Sequence, residues 1–257
     1  MLLELRHVTK EYPLRARRKE LFKPNTRFKA VNQVNLTINK GESVGLVGES
    51  GSGKSTLAKL IMKIESITSG QILLNDQPIH GRKIKDLKVY KQMQLVLQDS
   101  SSSLHPKMRV KEILEEPLRN YFPEENARWE VMIQKLLKLV HLDSSFLSRY
   151  PHQLSGGQKQ RVCIAKALAV QPEIIIFDES IASLDQPSQI NIINMLKYIQ
   201  KKQQLSYLFI THDLKSTQQL CDRVMVMYKG EIVETFCRWD TVQLCHPYSR
   251  LLFQTLD

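Results

Sequence analysis

The stretch that most constrains this chain is Gly48-Glu49-Ser50-Gly51-Ser52-Gly53-Lys54-Ser55-Thr56. An apolar run, residues 43–47, leads into it, and a helical pattern, residues 57–62, leaves it. Strand, glycine-rich loop and helix in that order make a phosphate cradle. The glycines let successive backbone N–H groups converge on phosphate oxygens, and the helix N-terminus adds partial positive charge. Lys54 is placed to reach the β- and γ-phosphates, and the Ser55 hydroxyl to ligate Mg²⁺. A glycine-rich turn that merely precedes a lysine would not require the flanking strand and helix. The stretch reads as a nucleotide-phosphate site.

A second acidic landmark fits beside it. Residues 174–177 are a continuous apolar run suited to a buried parallel strand, and Asp178 and Glu179 follow at once. A carboxylate at the carboxyl edge of a sheet is where Mg²⁺ sits next to bound phosphates, so Asp178 is the metal-side acid, most simply through water. Glu179 is the candidate to polarise an attacking water. Two acids that only end a strand in solvent would not need a phosphate cradle upstream.

Around these motifs the pattern alternates strand and helix. Residues 2–12 alternate apolar and polar, with Leu3, Leu5 and His7 on one side, and the alternation resumes over 30–38. Strands are expected at 70–74, 94–97, 207–210, 224–228 and 232–235, and a helix over 190–200 by the spacing of Ile190, Ile193, Leu196 and Lys197. From 105 to 170 the spacing is mainly helical. Residues 125–142 put Trp129, Met132, Ile133, Leu136, Leu137 and Val140 on one face, which is most economically core. No repeat or low-complexity segment interrupts this order.

Composition bounds the class. A chain of 257 residues with 42% hydrophobic and 25% charged residues buries a substantial core as one domain with a subdomain. No apolar run is long enough to cross a bilayer, and no signal-peptide pattern opens the chain. Cys163, Cys221, Cys237 and Cys245 show neither a CxxC pair nor metal-ligand spacing, in keeping with a reduced, cytosolic setting. The formal net charge is +11, and Arg15, Arg17, Arg18, Lys19, Lys23, Arg27 and Lys29 crowd one stretch, residues 13–29. Nucleic acid, an anionic membrane or an acidic partner could each use that charge, and a solvated loop accounts for it equally.

Residues 154–158, Leu-Ser-Gly-Gly-Gln, precede another helical pattern and read by composition as a helix cap. They also resemble the signature motif of ATP-binding-cassette ATPases, and the family's other landmarks stand in order. Gln98 resembles the Q-loop glutamine, Ser183-Leu184-Asp185 the D-loop, His212 the H-loop histidine, and Tyr12 the aromatic that stacks on adenine. The resemblance spans essentially the whole chain. It implies an α/β fold: a phosphate-loop ATPase core of ABC type with an N-terminal antiparallel β-subdomain and an inserted helical subdomain. The corresponding division is residues 1–104 and 171–257 for the core with its β-subdomain, 105–170 for the helical signature subdomain and 13–29 for a basic insertion.

The family works as head-to-tail dimers, which implies a division of labour among the matching positions. Gly48, Glu49, Ser50, Gly51, Ser52, Gly53, Lys54, Ser55, Thr56, Tyr12, Gln98, Asp178, Glu179 and His212 serve one ATP. Ser155, Gly156, Gly157 and Gln158 serve the ATP held by the partner subunit, and Asp185 of the D-loop-like segment joins the nucleotide-binding set. Mg²⁺ would be held by Ser55, Gln98 and Asp178, while Glu179, His212 and Gln98 carry the catalytic roles. His105, His152 and His246 gain no such role.

Residues 97–108, 149–153 and 246–249, with the basic 13–29 stretch, are similar to dipeptide, oligopeptide and nickel importers. Residues 161–170, 208–214 and 221–235 are most like nickel-type second ATPase subunits. Ser100 departs from the usual proline, and without a cysteine-rich tail before Asp257 no iron–sulfur extension is expected. The expected protein is the ATP-hydrolysing subunit of a bacterial importer of peptides, nickel or metal chelates, with metal uptake slightly favoured. It would lie peripherally on the cytoplasmic face of the cell membrane. Its partners would be a related but non-identical ATPase, two transmembrane permease subunits and an extracellular substrate-binding protein. The competing reading is a soluble cassette ATPase acting on nucleic acid or ribosomes. The doubled cassette or long coiled-coil insertion usual for that class is missing from the sequence, so no nucleic acid is expected. A phosphate-loop GTPase would carry an Asn-Lys-x-Asp guanine reader, and none lies downstream.

Overall fold

The apolar runs become neighbouring strands because a parallel sheet covered on both faces needs apolar side chains at every position. In the computed structural model, which describes residues 1–13, 27–80, 86–182, 184–237 and 244–254 (only the backbone for Ser100 and Ser101), two sheets carry the fold. The first is antiparallel, in the order β2-β1-β4-β5, from β1 (Leu3–Pro13), β2 (Arg27–Ile38), β4 (Ser69–Leu74) and β5 (Gln77–Pro78). The second has the order β10-β9-β3-β8-β7-β6. It is built from β3 (Ser43–Val47), β6 (Met93–Val96), β7 (Ile174–Asp178), β8 (Ser206–Thr211), β9 (Arg223–Tyr228) and β10 (Glu231–Phe236). Neighbours within β6-β7-β8-β3-β9 run parallel, and only β10 pairs antiparallel, on β9.

The helices are α1 (Lys54–Ile61), α2 (Asp86–Gln92), α3 (Ser100–Ser103), α4 (Val110–Tyr121), α5 (Trp129–Leu139), α6 (Gly156–Leu168), α7 (Gln186–Gln203), α8 (Leu214–Leu220) and α9 (Pro247–Phe253). Successive strand residues point to opposite sides, and the core divides accordingly. Ile174, Ile176, Leu208, Ile210, Met225 and Met227 join α1 and the antiparallel sheet in one cluster. Ile175, Phe177, Tyr207, Phe209, Val224 and Val226 join α4 to α8 in the other. Each of these side chains is 3% exposed or less. Each one buried contributes roughly 1.5–3 kcal/mol against leaving it in water. Two clusters clamped on one sheet hold the carboxyl ends of β3, β7 and β8 side by side.

The α/β fold with its antiparallel sheet and its helical layer is as the sequence implies, with local departures. Alternation in β1 breaks at His7, which takes φ 49 and is exposed. The register with β4 slips between Arg6 and Thr9, so Val8 and Thr9 are both buried, the mark of a bulge. The helix expected from 125 begins only at Trp129, after a 3₁₀ turn, Pro123–Arg128. The Trp129 indole N–H donates to the Phe122 carbonyl at 3.0 Å and fixes that entry. In α7, Ile190 faces solvent, while Ile192, Ile193, Met195, Leu196 and Ile199 make the buried side. Within the basic stretch, Pro13 and residues 27–29 are strand residues; Arg15, Arg17, Arg18, Lys19 and Lys23 lie outside the described residues. Among the described residues no helix is long and apolar enough to cross a membrane.

Candidate functional site

Strand β3 is central in its sheet, flanked by β8 and β9, and its carboxyl end opens into the glycine loop. Ligands of open α/β sheets bind at such carboxyl ends. Gly53 is the N-cap of α1, with φ 109, and offers no side-chain cap. The first N–H groups of α1 therefore lack a side-chain acceptor at the cap and are suited to an anion. A β-carbon on Gly53 would stand 2.3 Å from the Ala30 carbonyl oxygen, so no other residue fits there. Gly48 is as tightly placed, since a β-carbon would fall 2.2 Å from the Met227 carbonyl oxygen.

Lys54 is 4% exposed, yet carbonyls rather than a carboxylate hold its ammonium. Its Nζ donates to the Gly48 and Glu49 carbonyl oxygens, both at 2.8 Å, and lies 3.5 Å from the Ser52 Oγ. Burial lowers its pKa, opposed by the charges of Glu179, Asp178 and Glu49. A buried cation held by neutral acceptors is a strong attractor for phosphate.

The next residue completes the metal side. The Ser55 hydroxyl donates to Asp178 Oδ1 at 3.1 Å. Burial raises the Asp178 pKa; the Ser55 hydrogen bond opposes it, and the Glu179 charge adds to it. A hydroxyl and a half-buried carboxylate are hard oxygen donors of the kind Mg²⁺ takes when phosphates and water complete its shell. Among the described residues no cluster of three or more His, Cys, Asp or Glu is assembled for a metal.

Glu179 follows β7 with φ 48, an uncommon conformation for a non-glycine residue. Its N–H donates to the Ile210 carbonyl at 2.8 Å, which ties it to β8. Its Oε2 lies 3.7 Å from Nδ1 of His212, just past the end of β8. The His212 side chain is 57% exposed against 20% for Glu179, so the imidazole reaches outward from a sheltered carboxylate. Gln98 is exposed two residues beyond β6, the edge strand next to β7.

Tyr12 lies near the end of β1, and its hydroxyl donates to Glu65 Oε2. Burial and that carboxylate push its pKa up to about 12. Lys10 lies 5.0 Å from the ring centroid and 3.5 Å from Glu65.

Residues 155–158 are built as a helix start. Ser155 is the N-cap of α6: its Oγ accepts from the Gln158 N–H at 3.3 Å, and the Gln158 side chain accepts from the Ser155 N–H at 3.0 Å. A β-carbon on Gly156 would meet the Leu184 side chain, and one on Gly157 the Ser188 side chain, at 3.4 and 3.3 Å. Asp185 caps α7 by accepting from the Ser188 N–H at 3.2 Å, while Ser183 lies outside the described residues. Among the described residues no hydrogen bond or ion pair links 155–158 or Asp185 to the loop 48–56. Lys54, Ser55, Asp178, Glu179 and His212 share one sheet edge, and the signature-like residues stand apart from it.

Tyr248 was not singled out by pattern. Its hydroxyl accepts from the Glu49 N–H at 2.6 Å. The 246–249 segment carries a family likeness in the sequence, but nothing there signals a contact with a loop 199 residues away.

Comparison with known proteins identifies the family and the fold. The family model described as "ABC transporter" matches residues 31–182. The oligopeptide transport ATP-binding protein OppF of Bacillus subtilis is 38% identical over 259 residues, covering 99% of this chain and 82% of that protein. The nickel import ATP-binding protein NikE of Shigella dysenteriae is 42% identical over 223 residues, covering 86% and 83%. Among solved structures, cbiO1 of Clostridium perfringens, part of the transporter complex cbiONQ, superposes with a TM-score of 0.78 at 26% identity, over 92% of this chain and 88% of that one. The cassette MJ0796, a dimer in a post-hydrolysis state bound to ADP and Pi, gives 0.75 at 28% identity, over 93% and 100%.

Proposed function

Since the chain belongs to the ABC transporter family, we propose that it is the ATP-hydrolysing motor of an importer for peptides, nickel or metal chelates, acting at the cytoplasmic membrane face. The observation that carries this reading is the single sheet edge shared by the buried Lys54 ammonium, the Ser55–Asp178 pair and the Glu179–His212 pair. Its relatives are named for peptide and for nickel transport alike, so the substrate class stays at that breadth. Nothing in those names favours nucleic acid or ribosomes.

In this reading the loop N–H groups from Gly48 to Thr56 cradle the ATP phosphates, and Lys54 leaves its carbonyls to pair with them. Ser55 and Asp178, with Gln98, would hold Mg²⁺, which would supply neutralisation of phosphate charge. Glu179 accepts a proton from the attacking water, and His212 contacts the γ-phosphate. Tyr12 offers its ring to adenine. Ser155, Gly156, Gly157, Gln158 and Asp185 serve the ATP of a second, related cassette in a head-to-tail pair. Closure of that pair on ATP and its reopening after hydrolysis would move two permease subunits, with an extracellular binding protein delivering the substrate.

The test is ATP-dependent uptake by the assembled transporter in vesicles, offered dipeptides, oligopeptides, free nickel and metal chelates. Uptake of one class that stops when ATP is withheld supports the reading. ATP turnover that no candidate stimulates and that moves none of them would overturn it.

A further inference from the structure

The Gly48–Glu49 peptide group is held at both of its ends. Its carbonyl oxygen accepts from Lys54 Nζ at 2.8 Å, and its N–H donates to the Tyr248 hydroxyl at 2.6 Å. The first contact comes from inside the phosphate loop, the second from α9 at the far end of the chain. We propose that Tyr248 is a positioning residue for ATP binding: it fixes the plane of this peptide and thereby the seat of the Lys54 ammonium. The inference rests on the reading of Gly48 to Thr56 as the ATP-phosphate cradle.

The surroundings of Tyr248 are built to hold its hydroxyl still. Its ring stacks on Tyr228, at the end of β9, with centroids 4.3 Å apart and planes 23° from parallel. Its own N–H donates to Nδ1 of His246, the N-cap of α9, at 3.2 Å. The next residue, Ser249, is fully buried. The segment before α9 is tied to β10 by the Cys245 N–H, which donates to Glu234 at 2.6 Å. The Phe253 ring meets Phe236 edge-on at 5.2 Å.

The same strand end grips the loop a second time. Met227, the residue before Tyr228, brings its carbonyl oxygen so close to Gly48 that a β-carbon there would be 2.2 Å away. Gly48 and Glu49 are thus set by β9 on one side and α9 on the other. A glycine-rich loop loses more backbone freedom on ordering than other segments. A neutral hydrogen bond to one of its amides offsets part of that loss before ATP arrives. Lys54 must exchange carbonyl acceptors for phosphate oxygens, and a fixed Gly48–Glu49 plane sets the position from which its ammonium meets them.

The discriminating variant is Tyr248→Phe, which keeps the ring stack on Tyr228 and removes only the hydroxyl. Two readings are taken on the full chain: ATP affinity by titration with a fluorescent ATP analogue, and hydrogen exchange of a peptide spanning 48–52 without nucleotide. Loss of one net hydrogen bond predicts ATP binding weaker by about threefold to tenfold. In the assembled transporter the KM for ATP should rise likewise, with little change in kcat. Exchange in 48–52 should quicken while that of β9 and α9 stays as in the parent. Unchanged affinity and unchanged exchange in 48–52 would overturn the proposal. Faster exchange spread through α9 and β9 would also overturn it, since the hydroxyl would then serve packing alone. A parent chain that fails to bind the analogue at all would instead overturn the ATP reading on which the inference rests.

Discussion

The Glu179 carboxylate and the His212 imidazole stand 3.7 Å apart, one just past β7 and the other just past β8. These strands are hydrogen-bonded neighbours, and the Glu179 N–H reaches across to the Ile210 carbonyl. The pair is therefore set by the sheet and not by a loose loop. Glu179→Gln keeps the size and hydrogen-bonding reach of the side chain but removes its basicity. ATP should still bind, because Lys54 and the loop are untouched, while turnover should fall by about 10²–10⁴-fold. Steady-state hydrolysis beside equilibrium ATP binding checks this. Retained hydrolysis would move the base to another residue.

Gly51 and Gly53 separate strain from collision. Both have positive φ, 84 and 109, but a β-carbon on Gly51 meets nothing within 4 Å, whereas one on Gly53 meets the Ala30 carbonyl oxygen at 2.3 Å. Gly51→Ala should cost the backbone strain alone, about 1 kcal/mol. Gly53→Ala adds a clash that a strand carbonyl cannot relieve, and about 3 kcal/mol or more is expected. For a chain of this size that difference is several degrees in Tm, readable by thermal melting. Equal melting of the two variants would contradict the cradle geometry.

Tyr12 has two separable parts, a ring and a hydroxyl. The hydroxyl donates to Glu65 and is the largest cause holding that carboxylate below its ordinary pKa, with Lys10 and Lys59 adding to the effect. A depressed carboxylate contributes stability that is present above its unfolded pKa and is lost as pH falls through its folded one. Tyr12→Phe should move the Glu65 titration upward and shorten that acid window, while leaving a ring for adenine. Tyr12→Ala should do both and also weaken ATP. Carboxyl NMR titration and ATP binding read the two parts independently. A Glu65 titration that ignores the loss of the hydroxyl would count against this division.

Much of the fold was legible because fully buried parallel strands carry unbroken apolar runs, as in 43–47, 174–177 and 207–210. The phosphate loop was legible because Gly53 and Gly48 are forced by contacts with the carbonyls of Ala30 and Met227 and Gly51 by its positive φ, which leaves a local motif. His7 was misread because a bulge moves the inward position by one residue, and periodicity carries no sign of a slip in register. The spacing of Ile190, Ile193 and Leu196 marked the helix but not its buried side, which is set by the neighbours that pack on α7 and leaves Ile190 exposed. The Tyr248 contact was invisible for a different reason: a hydrogen bond between residues 199 apart leaves no pattern in either segment.

The signature-like segment gives the last prediction. Ser155 and Gln158 spend their side chains on capping α6, and Gly156 and Gly157 lie against Leu184 and Ser188, not against the chain's own phosphate loop. If this segment acts on a partner's ATP, a negative charge placed there should leave the chain's own nucleotide affinity alone. Gly157→Asp is a suitable probe. An acidic residue in the first turn favours the helix dipole, so α6 should keep its start. Its β-carbon would meet the movable Ser188 hydroxyl at 3.3 Å and the Ser188 β-carbon at 3.5 Å. Binding of ATP to the single chain should match the parent. Hydrolysis by the assembled pair should fall by about 10²–10³-fold, the scale for losing oriented donors at a charged transition state. Lys54→Ala supplies the contrast, since it should abolish binding in the single chain. If Gly157→Asp weakened ATP in the single chain as much as Lys54→Ala does, the segment would serve its own nucleotide, and the head-to-tail arrangement would lose its support here.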